Sequence, residues 1–168
     1  MVTPTAEMKM GERTLDLEHA RRYGLRLLLG TDGPAYNNSN DLWGDIKLAA
    51  LLWARTHGPK AVKAEEILKA VTWHASEAVE SPAGCILVGT PADLIFLRGD
   101  ALALQPLVKE PFDNVAVQIV YSASSAVICH VISKGRLVVA DGRCLTVDEA
   151  QIVATMKRTV RRHFTLHL

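Results

Sequence analysis

Gly30-Thr31-Asp32-Gly33 directly follows the apolar run Leu25-Arg26-Leu27-Leu28-Leu29. A short apolar strand that ends in an acid with Gly on both sides predicts a carboxylate at the C-terminal mouth of a buried sheet. That is where α/β enzymes keep metals and general bases. A carboxylate in that place can bind a hard or borderline cation, or take a proton from water bound to one. The same residue also suits a plainer role, capping the loop after it through an Asx turn. Asp32 is the leading candidate for chemistry.

The other reactive side chains do not assemble around it by spacing. The six histidines contain no H-x-H and no H-E-x-x-H. His163 and His167 are four apart, one face of a helix, but at the extreme C-terminus where helices fray. His74, beside Trp73, reads as a half-buried structural residue, and His19, His57 and His130 as surface or turn residues. Cys85 follows a glycine in a turn and Cys129 lies in an apolar run; with no adjacent base, both read as small buried hydrophobes. No G-x-S-x-G, P-loop or G-x-G-x-x-G is present. An acid–base pair of Asp32 with Glu7 or His74 would make a small independent enzyme, but no spacing brings those groups together.

The elements that must position Asp32 can be read around it. Leu15–Tyr23 predicts a short helix, with Gly24 at its C-cap. Leu25–Leu29 is then expected as a strand, the αβ half of a βαβ unit. Residues 33–40 read as a polar loop, and Asn40 or Asp41 as the cap of a helix over Leu42–Arg55, stopped by His57-Gly58-Pro59. Ala64–Val71 and Thr72–Val79 predict one or two further helices. After Ser81-Pro82-Ala83-Gly84 the pattern turns all-β: apolar runs at Leu94–Leu97, Val115–Tyr121, Ala126–Ser133 and Arg136–Ala140, with hairpin turns at Lys134-Gly135 and Asp141-Gly142. A final helix is expected from Asp148 to about Phe164, capped by Thr146 or Asp148. Its stripe is Ile152, Val153, Met156, Thr159 and Val160, and Lys157, Arg158, Arg161 and Arg162 form its solvated face. The first part holds one confident strand, and a lone strand cannot close a sheet. Its partners are expected to lie outside the chain.

Composition narrows the class. The 168 residues are 49% hydrophobic and 22% charged, enough to bury a core. A formal net charge of +1 gives no reason to expect nucleic acid or an anionic membrane, and 5% aromatics argues against a base-stacking platform. Three cysteines without a framework fit unpaired thiols in a reducing cytoplasm. No apolar run approaches the roughly 20 residues of a membrane span, and no signal pattern opens the chain. A cytoplasmic location is expected.

Several ordered motifs then resemble one family. Leu27-Leu28-Leu29-Gly30-Thr31-Asp32-Gly33, with Asn37-Asn38-Ser39-Asn40-Asp41-Leu42 and Ile46-Lys47-Leu48-Ala49-Ala50-Leu51-Leu52, resembles the amidohydrolase superfamily. Within it, the motifs look like those of the chlorohydrolase, cytosine deaminase and S-adenosylhomocysteine/methylthioadenosine deaminase group. Ala70–Ala78 is similar to that group's A-T-x-x-G-A-x-A helix. Gly84–Leu94 resembles its G-S-L-x-x-G-x-x-A-D-L entry into a small β-sandwich, and Val127–Val131 with Ser133–Arg136 resembles its closing strands. Pro4–Met10 resembles its P-x-S-N-x-K-L segment, with Ala6 and Glu7 where the family shows Ser-Asn.

The resemblance implies an α/β fold: the last strand or strands and helices of a (β/α)8 barrel over residues 1–80, the C-terminal part of a small β-sandwich over 81–145, and a C-terminal helix over 146–168. It implies a divalent metal, zinc or iron, in the complete enzyme, with Asp32 as the last ligand and proton shuttle. The family's histidine ligands have no counterpart here, so the chain alone is expected to be inactive and to lack a complete metal site. The implied reaction is hydrolysis of a C–N or C–Cl bond on a nucleobase-like or triazine-like ring, a small-molecule substrate. The expected partner is a missing N-terminal half or further copies of the chain. The other reading of the same motifs is a non-catalytic, self-associating structural or binding module.

Overall fold

The computed structural model describes residues 1–163. Six helices come first: α1 (Pro4–Lys9), α2 (Leu17–Arg22), α3 (Pro34–Asn37), α4 (Leu42–His57), α5 (Ala64–Val71) and α6 (Trp73–Ala78). Strand β1 (Leu94–Leu97) follows, then α7 (Val115–Ser122), then β2 (Ile128–Ser133), β3 (Arg136–Ala140), β4 (Arg143–Cys144) and α8 (Glu149–His163). The architecture is mixed α/β with one small antiparallel sheet, ordered β1-β2-β3-β4. Among the described residues, no helix is long and apolar enough to cross a membrane.

Local chemistry explains the helix ends. Asp16 caps α2 by accepting from the Glu18 amide at 2.8 Å, and Asp41 caps α4 by accepting from Trp43 at 3.1 Å. Gly24, at φ +63°, closes α2 while Leu25 N–H returns to the Ala20 carbonyl. Helix α4 buries Ile46, Ala49, Ala50 and Trp53 along one stripe, and the Trp53 indole donates to the Leu15 carbonyl at 3.1 Å. Those residues join Leu17, Leu29, Ile67 and Val120 in one core.

Leu25–Leu29 departs from the expected strand. It is extended but makes one isolated parallel bridge, Val2 to Leu29, with Val2 N–H on the Leu28 carbonyl at 2.7 Å and Gly30 N–H on Val2 at 3.0 Å. A strand exists only through its neighbours, and here, among the described residues, Val2 alone pairs with the segment while the Leu29 amide turns to the Ala70 carbonyl at 3.4 Å. Residues 33–40 are not wholly loop, because Pro34 at the first helical position starts the turn of α3.

Val115–Tyr121 was expected as β and forms α7. Its β-branched residues favour a strand locally. Val120 is nevertheless buried in the common core, with Ala116, one helical turn before it, and Tyr121 packed against that core. Asp113 accepts from the Val115 amide at 2.9 Å and starts the turn. The second half is therefore not all-β.

The hairpins follow expectation. Lys134 and Gly135 have φ of 49° and 75°, and Asp141 and Gly142 have 50° and 73°, the paired positive values of a type I′ turn. Asp93 accepts from the Lys134 amide at 2.7 Å and ties the first turn to the start of β1. Gly84 (φ +92°) lies against α6. A Cβ there would sit 2.4 Å from Ser76 Oγ and 2.9 Å from the Thr72 carbonyl oxygen. Asp148, rather than Thr146, caps α8 by accepting from Gln151 at 3.0 Å. The expected helix end at Phe164, and His167, lie outside the described residues.

Two carboxylates link helices through charge. Asp16 faces His57, whose Nε2 lies 3.1 Å away. His57 is thus largely covered rather than a surface residue. Desolvation raises the Asp16 pKa, but the Glu18 and His19 amides and the His57 ring outweigh it and hold it below the ordinary value. Desolvation likewise opposes Glu66, while the Lys63 amide and the Arg21 guanidinium, at 3.1 Å from α2, bring it below the ordinary value.

Two measurements follow from this packing. In urea titrations Val120→Ala lowers stability by about 1–3 kcal/mol, whereas Val117→Ala, at 47% exposure on the same helix, changes it by less than about 0.5 kcal/mol. Because both carboxyls have lowered folded pKa values, the unfolded chain binds more protons as the pH falls. Their contribution is complete above the unfolded values of about 4 and is lost on acidification through the folded ones. Asp16→Asn with Glu66→Gln therefore flattens the acid limb of stability against pH.

Candidate functional site

Asp32 stands where the extended segment Leu25–Gly30 turns into α3. Its backbone adopts φ +58°, the left-handed region that Asp tolerates better than most residues. The side chain is exposed, and Oδ1 accepts from the Gly33 amide at 2.6 Å. Among the described residues no other hydrogen bond to this carboxylate is formed. Asp32 thus faces outward from the end of the segment, with its loop geometry fixed by its own neighbours.

The loop is held from beneath by two buried polar residues that sequence reasoning missed. Asn37, 8% exposed, donates from Nδ2 both to the Thr31 carbonyl and to Asp45 Oδ2, each at 2.8 Å. Asp45, 1% exposed on the core side of α4, accepts from the Thr5 amide through Oδ1 at 2.8 Å. Thr3 makes no side-chain cap for α1, so Asp45, forty residues away, satisfies that helix's N-terminal donor. One signal could have revealed it: Asp45 is an acid on the stripe that includes Leu42, Ile46 and Ala49. Outside the loop, Lys9 Nζ donates to Asn38 Oδ1 and holds α1 to α3.

The candidate partners of Asp32 are engaged elsewhere. Glu7 Oε1 accepts from the Thr3 amide at 2.9 Å, and His74 Nδ1 lies 3.3 Å from the Leu27 carbonyl. His74 is half-buried, as its sequence setting suggested. His163 Nδ1 lies 3.0 Å from the Thr159 carbonyl on its own helix. Cys85 and Cys129 are only partly buried, and the Cys129 thiol donates to the Phe96 carbonyl at 3.3 Å. Two hollows, of about 440 and 310 Å³, open beside Thr146–Met156 and between Met8–Asp16 and the end of α4, and neither includes Asp32.

A catalytic metal of the zinc type takes about three protein ligands and an open position. Among the described residues, no group of three or more His, Cys, Asp and Glu side chains forms a metal-holding cluster. Asp32 alone fits one ligand of such a centre, and the donor set in this chain does not fit a whole one. What the arrangement can do by itself is present one exposed carboxylate at the end of a braced segment.

Comparison with known proteins matches residues 1–138 to the model of the Amidohydrolase family. The 5-methylthioadenosine/S-adenosylhomocysteine deaminase of Pyrococcus furiosus is 34% identical over 151 residues, 89% of this chain and 35% of that protein. The 5′-deoxyadenosine deaminase of Methanopyrus kandleri is 36% identical over 152 residues, 89% of this chain and 34% of that protein. The chain thus spans about a third of the length of these curated relatives. A zinc-bound adenosine deaminase structure from Xanthomonas campestris superposes with a TM-score of 0.86 at 27% identity, covering 95% of this chain and 36% of that one. A zinc complex of atrazine chlorohydrolase from Arthrobacter aurescens shares the fold, with a TM-score of 0.79 at 24% identity, 93% of this chain and 34% of that one.

The brace and the acid are separable. Asn37→Ala leaves the buried Asp45 Oδ2 without its donor and lowers stability by about 1–3 kcal/mol. Asp32→Asn, exposed and in a backbone region that Asn also adopts, changes stability by less than about 0.5 kcal/mol. Urea denaturation of the two variants beside the parent chain checks both.

Proposed function

The chain belongs to the amidohydrolase family, and from that membership we propose that it is the Asp32-bearing part of a hydrolytic deaminase that cleaves a C–N bond on a nucleobase-like ring. The observation that carries this reading is Asp32 itself. It stands at the end of an extended segment braced by Asn37 and Asp45, in a chain 34–36% identical to purine-nucleoside deaminases over 89% of its length.

In this reading residues 1–80 are the end of a (β/α)8 barrel, and residues 81–145 belong to the small sandwich. Zinc or iron supplies Lewis acidity when the centre is complete. The work of this chain is narrower. The Asn37–Asp45 brace fixes the loop, and the Asp32 carboxylate faces outward as one ligand and as the base that takes and returns a proton. The remaining ligands are histidines supplied by another polypeptide segment, so the 168-residue chain alone is inactive.

Exposed surface supports a covering segment of that kind. The accessible area is 12120 Å², whereas a folded chain of 18.3 kDa is expected to show about 8,100 Å². Ile86, Leu87, Val88 and Leu102 are exposed by 86%, 66%, 108% and 89%. Apolar surface on that scale marks an interaction face.

A chimaera tests the reading. The segment of this chain that aligns with the Pyrococcus furiosus deaminase replaces the matching third of that enzyme, and ammonia release from 5-methylthioadenosine is followed. The chimaera turns over, and Asp32→Asn within it lowers kcat by at least about 1,000-fold. Full activity of the Asp32→Asn chimaera overturns the role of Asp32. Turnover by the 168-residue chain alone, with one metal per chain, overturns the need for a second segment.

A further inference from the structure

Helix α8 buries none of its residues, although it carries an apolar stripe. Ile152, Val153, Met156 and Val160 are exposed by 49%, 52%, 57% and 43%. At 100° per residue they share one face, and Glu149 and His163 continue that face at its two ends. Arg158, Arg161 and Arg162 lie on the opposite side.

The spacing along this face is symmetric about Met156. Ile152 and Val160 lie four residues to either side of it, and Glu149 and His163 lie seven to either side. We propose that α8 pairs antiparallel with α8 of a second copy of this chain, the two-fold axis passing at Met156. Each Ile152 then packs on the partner's Val160, and Met156 meets its own counterpart. Charge complementarity singles out this occupant. Glu149, in the acidic first turn, falls beside the partner's His163, which lies with Arg161 and Arg162 in the basic last turn. The helix dipoles run opposed, and acid at one end meets base at the other. No like charges oppose each other: Lys157 falls beside the partner's Thr155, and Arg158 beside its Ala154.

This pairing is self-complementary, as a closed two-fold interface requires. A lipid surface fits less well. Among the described residues the apolar face has no Trp or Phe and ends in Glu149, and the arginines sit behind it rather than at its flanks. The inference does not depend on the deaminase reading, since it uses no residue of the Asp32 site.

The test is light scattering of the 168-residue chain at pH 6 over micromolar concentrations, with circular dichroism to confirm that each variant stays folded. The parent chain shows a dimer mass. M156E raises the dissociation constant at least tenfold, and E149K and H163E each weaken the dimer. The double variant E149K/H163E restores it, because the swapped charges meet again. In a C85S/C129S/C144S background M156C cross-links on oxidation, whereas A154C, on the far face, does not. A monomer at all concentrations overturns the proposal. So does an oligomer indifferent to M156E, a double variant no better than either single one, or binding of α8 to phosphatidylserine vesicles in place of pairing.

Discussion

Everything near Asp32 depends on the burial of one carboxylate. Asp45 has almost no contact with water, so each of its oxygens must find a donor inside the protein or the fold loses stability. It finds Thr5 N–H on one side and the Asn37 amide on the other, and Asn37 passes the constraint on to the Thr31 carbonyl. The start of α1, forty residues away, and the loop from Thr31 to Asn37 are thereby both fixed to α4. The apolar core supplies the bulk of the cohesion, but it does not specify which way this loop faces. Hydrogen bonds with direction do that.

The brace also accounts for the division of labour between two acids only thirteen residues apart. Asp45 is spent on structure, because both of its oxygens are committed and out of reach of solvent. Asp32 makes one bond to its own loop and faces outward. A working acid must keep an oxygen available, whereas a structural acid must not, and the two positions meet those opposite demands through burial alone.

What was legible in the sequence is local. The Gly24 end of α2, the start of α4 at Leu42, and both Gly-containing hairpin turns depend on a few adjacent residues whose preferences agree. Two features were not legible for one shared reason. Whether Leu25–Leu29 is a strand depends on what lies beside it, and among the described residues Val2 alone forms a β-bridge with it. Val115–Tyr121 carries β-branched residues that favour a strand, yet it folds as a helix because Val120 finds a place in a core built by residues far upstream. Asp45 escaped for a related reason: a buried acid cannot be told from a surface acid until the far-off Thr5 amide is seen to need it. That a turn begins at Asp32 was legible through the glycines on both sides and the apolar run before it, whereas the sheet expected beneath it is reduced to one bridge.

Gly84 has a further consequence. The backbone there passes so close to Ser76 and to the Thr72 carbonyl that a single added carbon would collide with both, and its φ of +92° is strained for any other residue. This is where the chain leaves its helical half for the β-rich part that follows. The two halves can each drift in sequence as long as their own patterns survive. The seam between them admits one amino acid, so mutational tolerance along the chain has a sharp minimum at a position that performs no chemistry.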